Sequence, residues 1–172
     1  IICMIFTLPA HNNGEVIFMK WSQKESSLLQ DLKADETLCV EKYEKHACDA
    51  CDAALKTVFT KIEKTEREHL DTVNSLISGT VPPLPKEKKA QSKQSPPAQN
   101  AKKSTAQSAD KKHDAYLCSD ALSTEKHVSA VYDTAVFEFK DPQVRQILNH
   151  IQKEEQQHGE AVYSYMAAHG MY

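Results

Sequence analysis

Two stretches of the sequence decide the fold: IEKTEREHLDTV at residues 62–73 and IQKEEQQHGEAV at residues 151–162. Each stretch begins with isoleucine, ends with valine and carries the motif Glu-x-x-His between them. These four residues recur at steps of four, three and four, which places them on one face of an α-helix. Each stretch therefore predicts a helix whose apolar face contains a glutamate and a histidine.

The two stretches belong to an internal repeat with an offset of 89 residues, which needs no gap between residues 28 and 79. A repeat fixes the architecture, because each copy is expected to form the same structural unit. The matched pairs include Leu28 and Leu117, Asp31 and Asp120, Glu36 and Glu125, Tyr43 and Tyr132, Asp52 and Asp141, Glu66 and Glu155, and His69 and His158.

Each copy predicts two helices joined by a tight turn. In the second copy the break falls at Lys140-Asp141-Pro142, where Asp can cap a helix and Pro suits its first turn. The matching break in the first copy is Cys51-Asp52-Ala53. Apolar stripes at helical spacing also precede both breaks. Each copy is therefore predicted to form a helical hairpin.

The segment between the copies is rich in Pro, Lys, Ser and Gln and contains almost no large apolar residue. Such a composition cannot offset chain entropy, so we expect a disordered linker at residues 80–114. Residues 1–20 are interpreted as an N-terminal extension. Residues 21–79 and 115–172 are predicted to form the two hairpins of one all-α, four-helix bundle. The linker would run the length of the bundle, about 40 Å, which a flexible chain of about 35 residues can span.

The composition of the chain argues against nucleic acid and membrane as partners. The formal net charge is only −3, so nucleic acid is not expected as a main partner. No apolar run approaches the roughly 20 residues that span a bilayer, so no membrane partner is expected. The five cysteines are an odd number in a chain too long for a small disulfide scaffold, which favours a reducing compartment.

Six polar residues lie inside the apolar stripes rather than beside them: Glu36, Glu66, His69, Glu125, Glu155 and His158. A buried carboxylate is costly unless it is paired or binds a metal, and divalent cations would relieve the repulsion among four of them. By contrast, Glu63, Glu68 and Glu154 neighbour these residues but are expected to point away from the stripe.

Spacing predicts that the six residues meet. Glu36 and Glu66 each lie 15 residues from Cys51, near the first turn, and both should stand roughly 22 Å from it. The same distance from Lys140 applies to Glu125 and Glu155. Two hairpins packed about a two-fold axis would bring all four carboxylates into one layer, with each histidine one turn from its glutamate.

This pattern resembles a known class of protein. A single Glu on each of two helices, with Glu-x-x-His on each of the other two, is similar to the ligand set of ferritin-like, rubrerythrin-like di-iron and di-manganese carboxylate bundles. A tyrosine seven residues after each single Glu adds to the likeness, which covers about residues 21–79 and 115–172. The second copy also resembles the spore coat F-like proteins of endospore-forming bacteria, from Leu122-Ser123-Thr124-Glu125-Lys126 through Tyr132-Asp133-Thr134-Ala135 to Gly170-Met171-Tyr172.

The resemblance implies that the six residues bind two iron ions, or alternatively manganese, and that two of the four glutamates bridge the ions. Tyr43 and Tyr132 would hydrogen-bond to a ligand or donate one electron. A di-iron centre of this kind would act as a peroxidase or oxidase, with peroxide or oxygen as substrate.

The rival hypothesis is a structural spore coat protein whose metal site is non-catalytic or lost. Coat proteins or a second copy of this chain are the expected protein partners. The location implied is the cytoplasm or the spore coat.

Overall fold

The computed structural model describes residues 19–84 and 108–172. Within these residues the chain forms four α-helices and no β-strand, which confirms the predicted all-α, four-helix class. The helices are α1 at Gln23–Asp49, α2 at Ala53–Ile77, α3 at Ser108–Glu138 and α4 at Pro142–Ala168. The predicted extension before residue 19 and the predicted disorder of residues 85–107 lie outside the described residues.

Both hairpin turns lie where the repeat places them. The carboxylate of Asp52 accepts a hydrogen bond of 2.7 Å from the backbone N–H of Ala54 and so caps α2. Asp141 caps α4 in the same way, accepting from the backbone N–H groups of Gln143 at 2.8 Å and Val144 at 3.0 Å. These side chains satisfy N–H groups that a helix start otherwise leaves without partners.

The two hairpins pack side by side with their turns at opposite ends. Helix α1 packs on α3, and α2 packs on α4. Asp114, near the start of α3, accepts hydrogen bonds from the backbone N–H groups of Cys51 at 2.8 Å and Asp52 at 3.0 Å. At the other end, Glu25 near the start of α1 accepts from the backbone N–H of Lys140 at 3.1 Å. Each turn is therefore held by a carboxylate of the other hairpin.

These contacts also show why the connection between the hairpins is long. Helix α2 ends beside the start of α1, since the indole N–H of Trp21 donates to the carbonyl oxygen of Leu76 at 2.8 Å. Helix α3 begins at the opposite end, next to Cys51. The end of α2 and the start of α3 therefore lie at opposite ends of the bundle, as the predicted topology requires.

The end of the predicted linker requires a correction. Composition predicts a linker that ends at residue 114, whereas α3 begins at Ser108. The stretch SADKKHD at residues 108–114 has no apolar residue larger than alanine, so hydrophobic periodicity does not mark it as helical. Asp114 is 2% exposed, and its hydrogen bonds to the first hairpin turn hold this part of α3 against the bundle.

The core contains the predicted stripes. Apolar layers lie on both sides of the bundle centre, one including Leu32, Val73 and Ile147 and the other including Leu55 and Phe59. The predicted polar cluster lies between these layers. None of the described helices is both long enough and apolar enough to cross a membrane.

Candidate metal centre

The six side chains singled out by the repeat come from all four helices and meet in the middle of the bundle. All are buried, and their exposed fractions run from 0% for Glu36, Glu66 and Glu155 to 7% for His158. Helix α1 supplies Glu36, α2 supplies Glu66 and His69, α3 supplies Glu125, and α4 supplies Glu155 and His158. The six residues therefore lie at the same height along the bundle axis, as their equal spacing from the two turns requires.

The six residues form two overlapping groups of four. The first group is Glu36, Glu66, His69 and Glu155, and the second is Glu66, Glu125, Glu155 and His158. Within each group one nitrogen or oxygen atom per residue lies within 4.8 Å of the others. Glu66 and Glu155 belong to both groups. They are therefore the two carboxylates that the groups have in common, whereas Glu36 and Glu125 each belong to one group.

The facing imidazole and carboxylate atoms of the cluster lie at ion-pair distance from one another without the alignment of a hydrogen bond. Nδ1 of His69 lies 2.9 Å from Oε1 of Glu155, and Nδ1 of His158 lies 2.9 Å from Oε1 of Glu66. Neither pair has the alignment of a hydrogen bond, and both Nδ1 atoms lack a hydrogen-bond partner. The same is true of six buried carboxylate oxygens in the cluster, two of them on Glu66 and two on Glu155.

Buried polar atoms without partners are rare and cost stability, so eight of them in one place require an explanation. Oxygen and imidazole nitrogen atoms that converge on shared points are what a divalent cation coordinates. Mixed carboxylate and imidazole donors suit iron and manganese. The residues present therefore fit a pair of such ions.

Each of the two tyrosines donates a hydrogen bond to a glutamate of the other hairpin. The hydroxyl of Tyr43 on α1 donates a hydrogen bond to Oε1 of Glu125 on α3. Reciprocally, the hydroxyl of Tyr132 on α3 donates to Oε1 of Glu36 on α1. Both tyrosines are 0% exposed. Each hydroxyl thus holds one oxygen of a non-shared glutamate and leaves the other oxygen directed at the cluster.

Glu154 points away from the cluster, as helical spacing predicts, yet it contacts the outer side of His69, which helical spacing does not predict. Its Oε2 lies 2.9 Å from Nε2 of His69, on the side of the ring away from the cluster. A metal-binding histidine commonly gives its second N–H to a carboxylate, which fixes the ring and strengthens it as a ligand. Helical periodicity directs Glu154 outward because it lies 100° from Glu155 around α4, and only the packing of α4 on α2 brings it to His69.

The repeat does not copy this carboxylate. The residue that corresponds to Glu154 in the first hairpin is Thr65, whose hydroxyl donates to the carbonyl oxygen of Lys61 in its own helix. Thr65 therefore offers no carboxylate to His158, whereas Glu154 offers one to His69.

The carboxyl groups of the cluster differ in pKa. Burial raises the pKa of Glu36 well above its ordinary value and raises the pKa of Glu125 to about 8. Burial opposes the ionisation of Glu155 as well, but the adjacent imidazoles of His158 and His69 outweigh it and lower its pKa to about 2. The same two imidazoles lower the pKa of Glu66 in spite of its burial. Burial therefore favours the protonated form of the two non-shared acids, whereas the neighbouring imidazoles favour the ionised form of the two shared ones.

The imidazoles carry the compensating charge. Burial disfavours their charged forms, but the surrounding carboxylates raise the pKa of His158 to about 11 and that of His69 well above its ordinary value. The imidazoles and the carboxylates thus stabilise each other's charged forms in the metal-free cluster. Metal ions would compete with these protons for the same side chains.

Fold and cluster together define a four-helix bundle with a buried carboxylate and histidine centre. Residues 113–172 match the family model of the Coat F domain. The match covers most of α3 and all of α4, and it includes Glu125, Glu155 and His158. It supports the resemblance of the second hairpin to spore coat F-like proteins and suggests a spore coat setting. The comparisons with curated proteins and with solved structures found no significant match.

Proposed function

We propose that the bundle binds two divalent metal ions, iron or manganese, in the six-residue cluster and reduces peroxide or oxygen there. The observation that carries the proposal is the convergence of eight buried nitrogen and oxygen atoms that have no hydrogen-bond partner. The likeness to ferritin-like carboxylate bundles rests on the same ligand set, supplied by all four helices.

Each residue has a role in this proposal. Glu66 and Glu155 would contact both ions, since each belongs to both groups. Glu36 and His69 would complete one metal position, and Glu125 with His158 would complete the other.

A bound ferrous pair would supply the two electrons that reduce one molecule of peroxide to water. The chain's own contribution is to hold the ligands and exclude bulk water. Tyr43 and Tyr132 keep Glu125 and Glu36 in place, and Glu154 fixes the ring of His69.

A structural role is the second candidate, because the Coat F match suggests a spore coat setting for the second hairpin. In that case metal ions would connect the two hairpins without turnover. Each metal position draws residues from both hairpins, so ion binding would tie α1 and α2 to α3 and α4.

One experiment separates these functions. Ferrous iron is added anaerobically to the metal-free protein to measure its stoichiometry, followed by hydrogen peroxide. Near-ultraviolet charge-transfer absorption reports oxidation of the iron, and peroxide loss is followed through repeated chemical reductions. Two bound ions and peroxide loss in every cycle would support the enzymatic function, whereas two bound ions without repeated turnover would favour the structural one.

The double variant Glu66→Gln with Glu155→Gln removes both shared carboxylates and should bind neither ion tightly. Glu68→Gln is the matched control, because Glu68 is an exposed glutamate on the same helix as Glu66. Tight iron binding by the double variant, or weak binding by the parent, would show that the metal proposal is wrong.

A further inference from the structure

A cavity of about 430 Å³ lies beside the cluster, between α3 and α4. Its wall includes Leu122, Gly159 and Tyr163, and two residues of the cluster, Glu125 and Glu155, also line it. Both glutamates belong to the group that contains His158, whereas the residues specific to the other group do not line the cavity. The cavity therefore reaches one of the two metal positions.

Residual exposure shows the same asymmetry. Glu125 and His158 are 4% and 7% exposed, whereas their counterparts Glu36 and His69 are 0% and 2% exposed. Tyr163, on the cavity wall, is 46% exposed, so the cavity is connected to the surface of the bundle.

Gly159 accounts for the open space. Glycine inside a helix costs about 1 kcal/mol relative to alanine. The backbone does not require glycine here, because the glycines with positive φ are Gly79 and Gly170. A Cβ atom at residue 159 would lie 3.8 Å from Cβ of Glu125 and 3.9 Å from Cδ2 of Leu122, so a longer side chain would extend along the cavity wall.

The repeat supplies a comparison within the same molecule. The residue that corresponds to Gly159 in the first hairpin is Leu70, which is half-buried. The residue that follows His69 is therefore a leucine, whereas the residue that follows His158 is a glycine, whose side chain is only a hydrogen atom.

We propose that this cavity is the substrate site of the metal centre and that it takes a small organic hydroperoxide, with the peroxide end at the position of Glu125 and His158. The inference rests on the proposed metal centre and adds the class of substrate and the end from which it binds. Hydrogen peroxide needs little more room than water, which occupies about 10–15 Å³ on the same measure. A cavity of about 430 Å³ falls in the range of sites for small organic ligands, and Leu122 and Tyr163 offer apolar wall to an organic group.

The test uses unreactive ligands and a metal with visible absorption bands. Protein loaded with cobalt(II) is titrated with formate and with butyrate, and the change in the visible spectrum gives each dissociation constant. The two ions share a carboxylate head and differ in an apolar chain. Because a buried methylene contributes about fourfold in affinity, partial burial of the three chain carbons of butyrate predicts that it binds about tenfold more tightly than formate.

Gly159→Leu should abolish this preference, because it introduces into the cavity wall the side chain that the first hairpin carries at the corresponding residue, Leu70. Ser129→Leu closes the same cavity from α3 and should have the same effect, which keeps the test valid if one variant does not fold. Gln157→Leu introduces the same leucine side chain at an exposed position of α4 outside the cavity and should retain the preference.

Equal affinity of the parent for both ligands would overturn the inference, and so would a preference that survives in a folded cavity-closing variant. Failure of the parent to bind cobalt would instead refute the metal centre itself. The two failures are distinguishable because cobalt binding is measured before either carboxylate is added.

Discussion

Replacing Tyr132 with phenylalanine removes the hydroxyl group that donates a hydrogen bond to Oε1 of Glu36. The other oxygen of Glu36 already lacks a partner, so in the metal-free variant the whole carboxyl group would be without a hydrogen bond to the protein. Both residues are 0% exposed and neither lines the cavity, so no water molecule can easily replace the hydroxyl. Leaving a buried polar group without a partner costs about 1–3 kcal/mol.

The repeat provides the matched substitution, Tyr43→Phe, which removes the corresponding hydrogen bond to Glu125. Glu125 lines the cavity, so a water molecule can take the place of the lost hydroxyl. The cost should then be near that of an ordinary exchanged hydrogen bond, about 0.5–1 kcal/mol. The two conservative substitutions, identical in chemistry, should therefore differ in effect.

The free energy of unfolding is measured by urea denaturation of each variant in the presence of a chelator, and the melting temperature by calorimetry. A chain of this size loses about 2–4 °C per kcal/mol, so Tyr132→Phe should lower Tm by about 2–12 °C and Tyr43→Phe by no more than about 4 °C. Equal losses, or a larger loss for Tyr43→Phe, would refute the inference that only one end of the cluster is open to water.

Three further outcomes are expected. Glu154→Gln should weaken metal binding at the position of His69 by about 10- to 100-fold, measured by competition with a chromophoric chelator, because the ring loses its anionic partner. An unchanged affinity would remove Glu154 from the site. Gly159→Ala should raise the free energy of unfolding by up to about 1 kcal/mol, since its Cβ would meet Glu125 at an ordinary contact distance of 3.8 Å; destabilisation would mean that the space is not free. Metal affinity should increase with pH across the neutral range, because His158, with a pKa of about 11, and Glu125, with a pKa of about 8, must release protons to bind. Calorimetric titration in buffers of different ionisation enthalpy counts these protons, and a count of zero would contradict the expected exchange.

Some buried side chains could not be placed from the sequence. His46 is 8% exposed, and its Nε2 lies 3.0 Å from Oδ2 of Asp120 on α3. Nothing in the pattern around residue 46 indicates this contact, because the partner is distant in sequence and helical spacing describes only one helix at a time. The contact between Glu154 and His69 was missed for the same reason.

The sequence by itself determined the features that depend on distance along the chain. Steps of three and four fixed the helix faces, Asp52 and Asp141 fixed the turns, and equal spacing from those turns placed Glu36 and Glu66 at one level. Each of these follows from the constant rise and rotation of a helix.

Only the tertiary structure decided which atoms meet across helices. It made Glu66 and Glu155 the shared carboxylates, brought Glu154 to His69, and left a cavity beside Gly159. These outcomes depend on how far each helix is rotated about its own axis when the hairpins pack. Rotating a helix by a few tens of degrees about its axis leaves its hydrophobic period unchanged but changes which residues of the neighbouring helix it contacts. Periodicity therefore cannot predict these contacts.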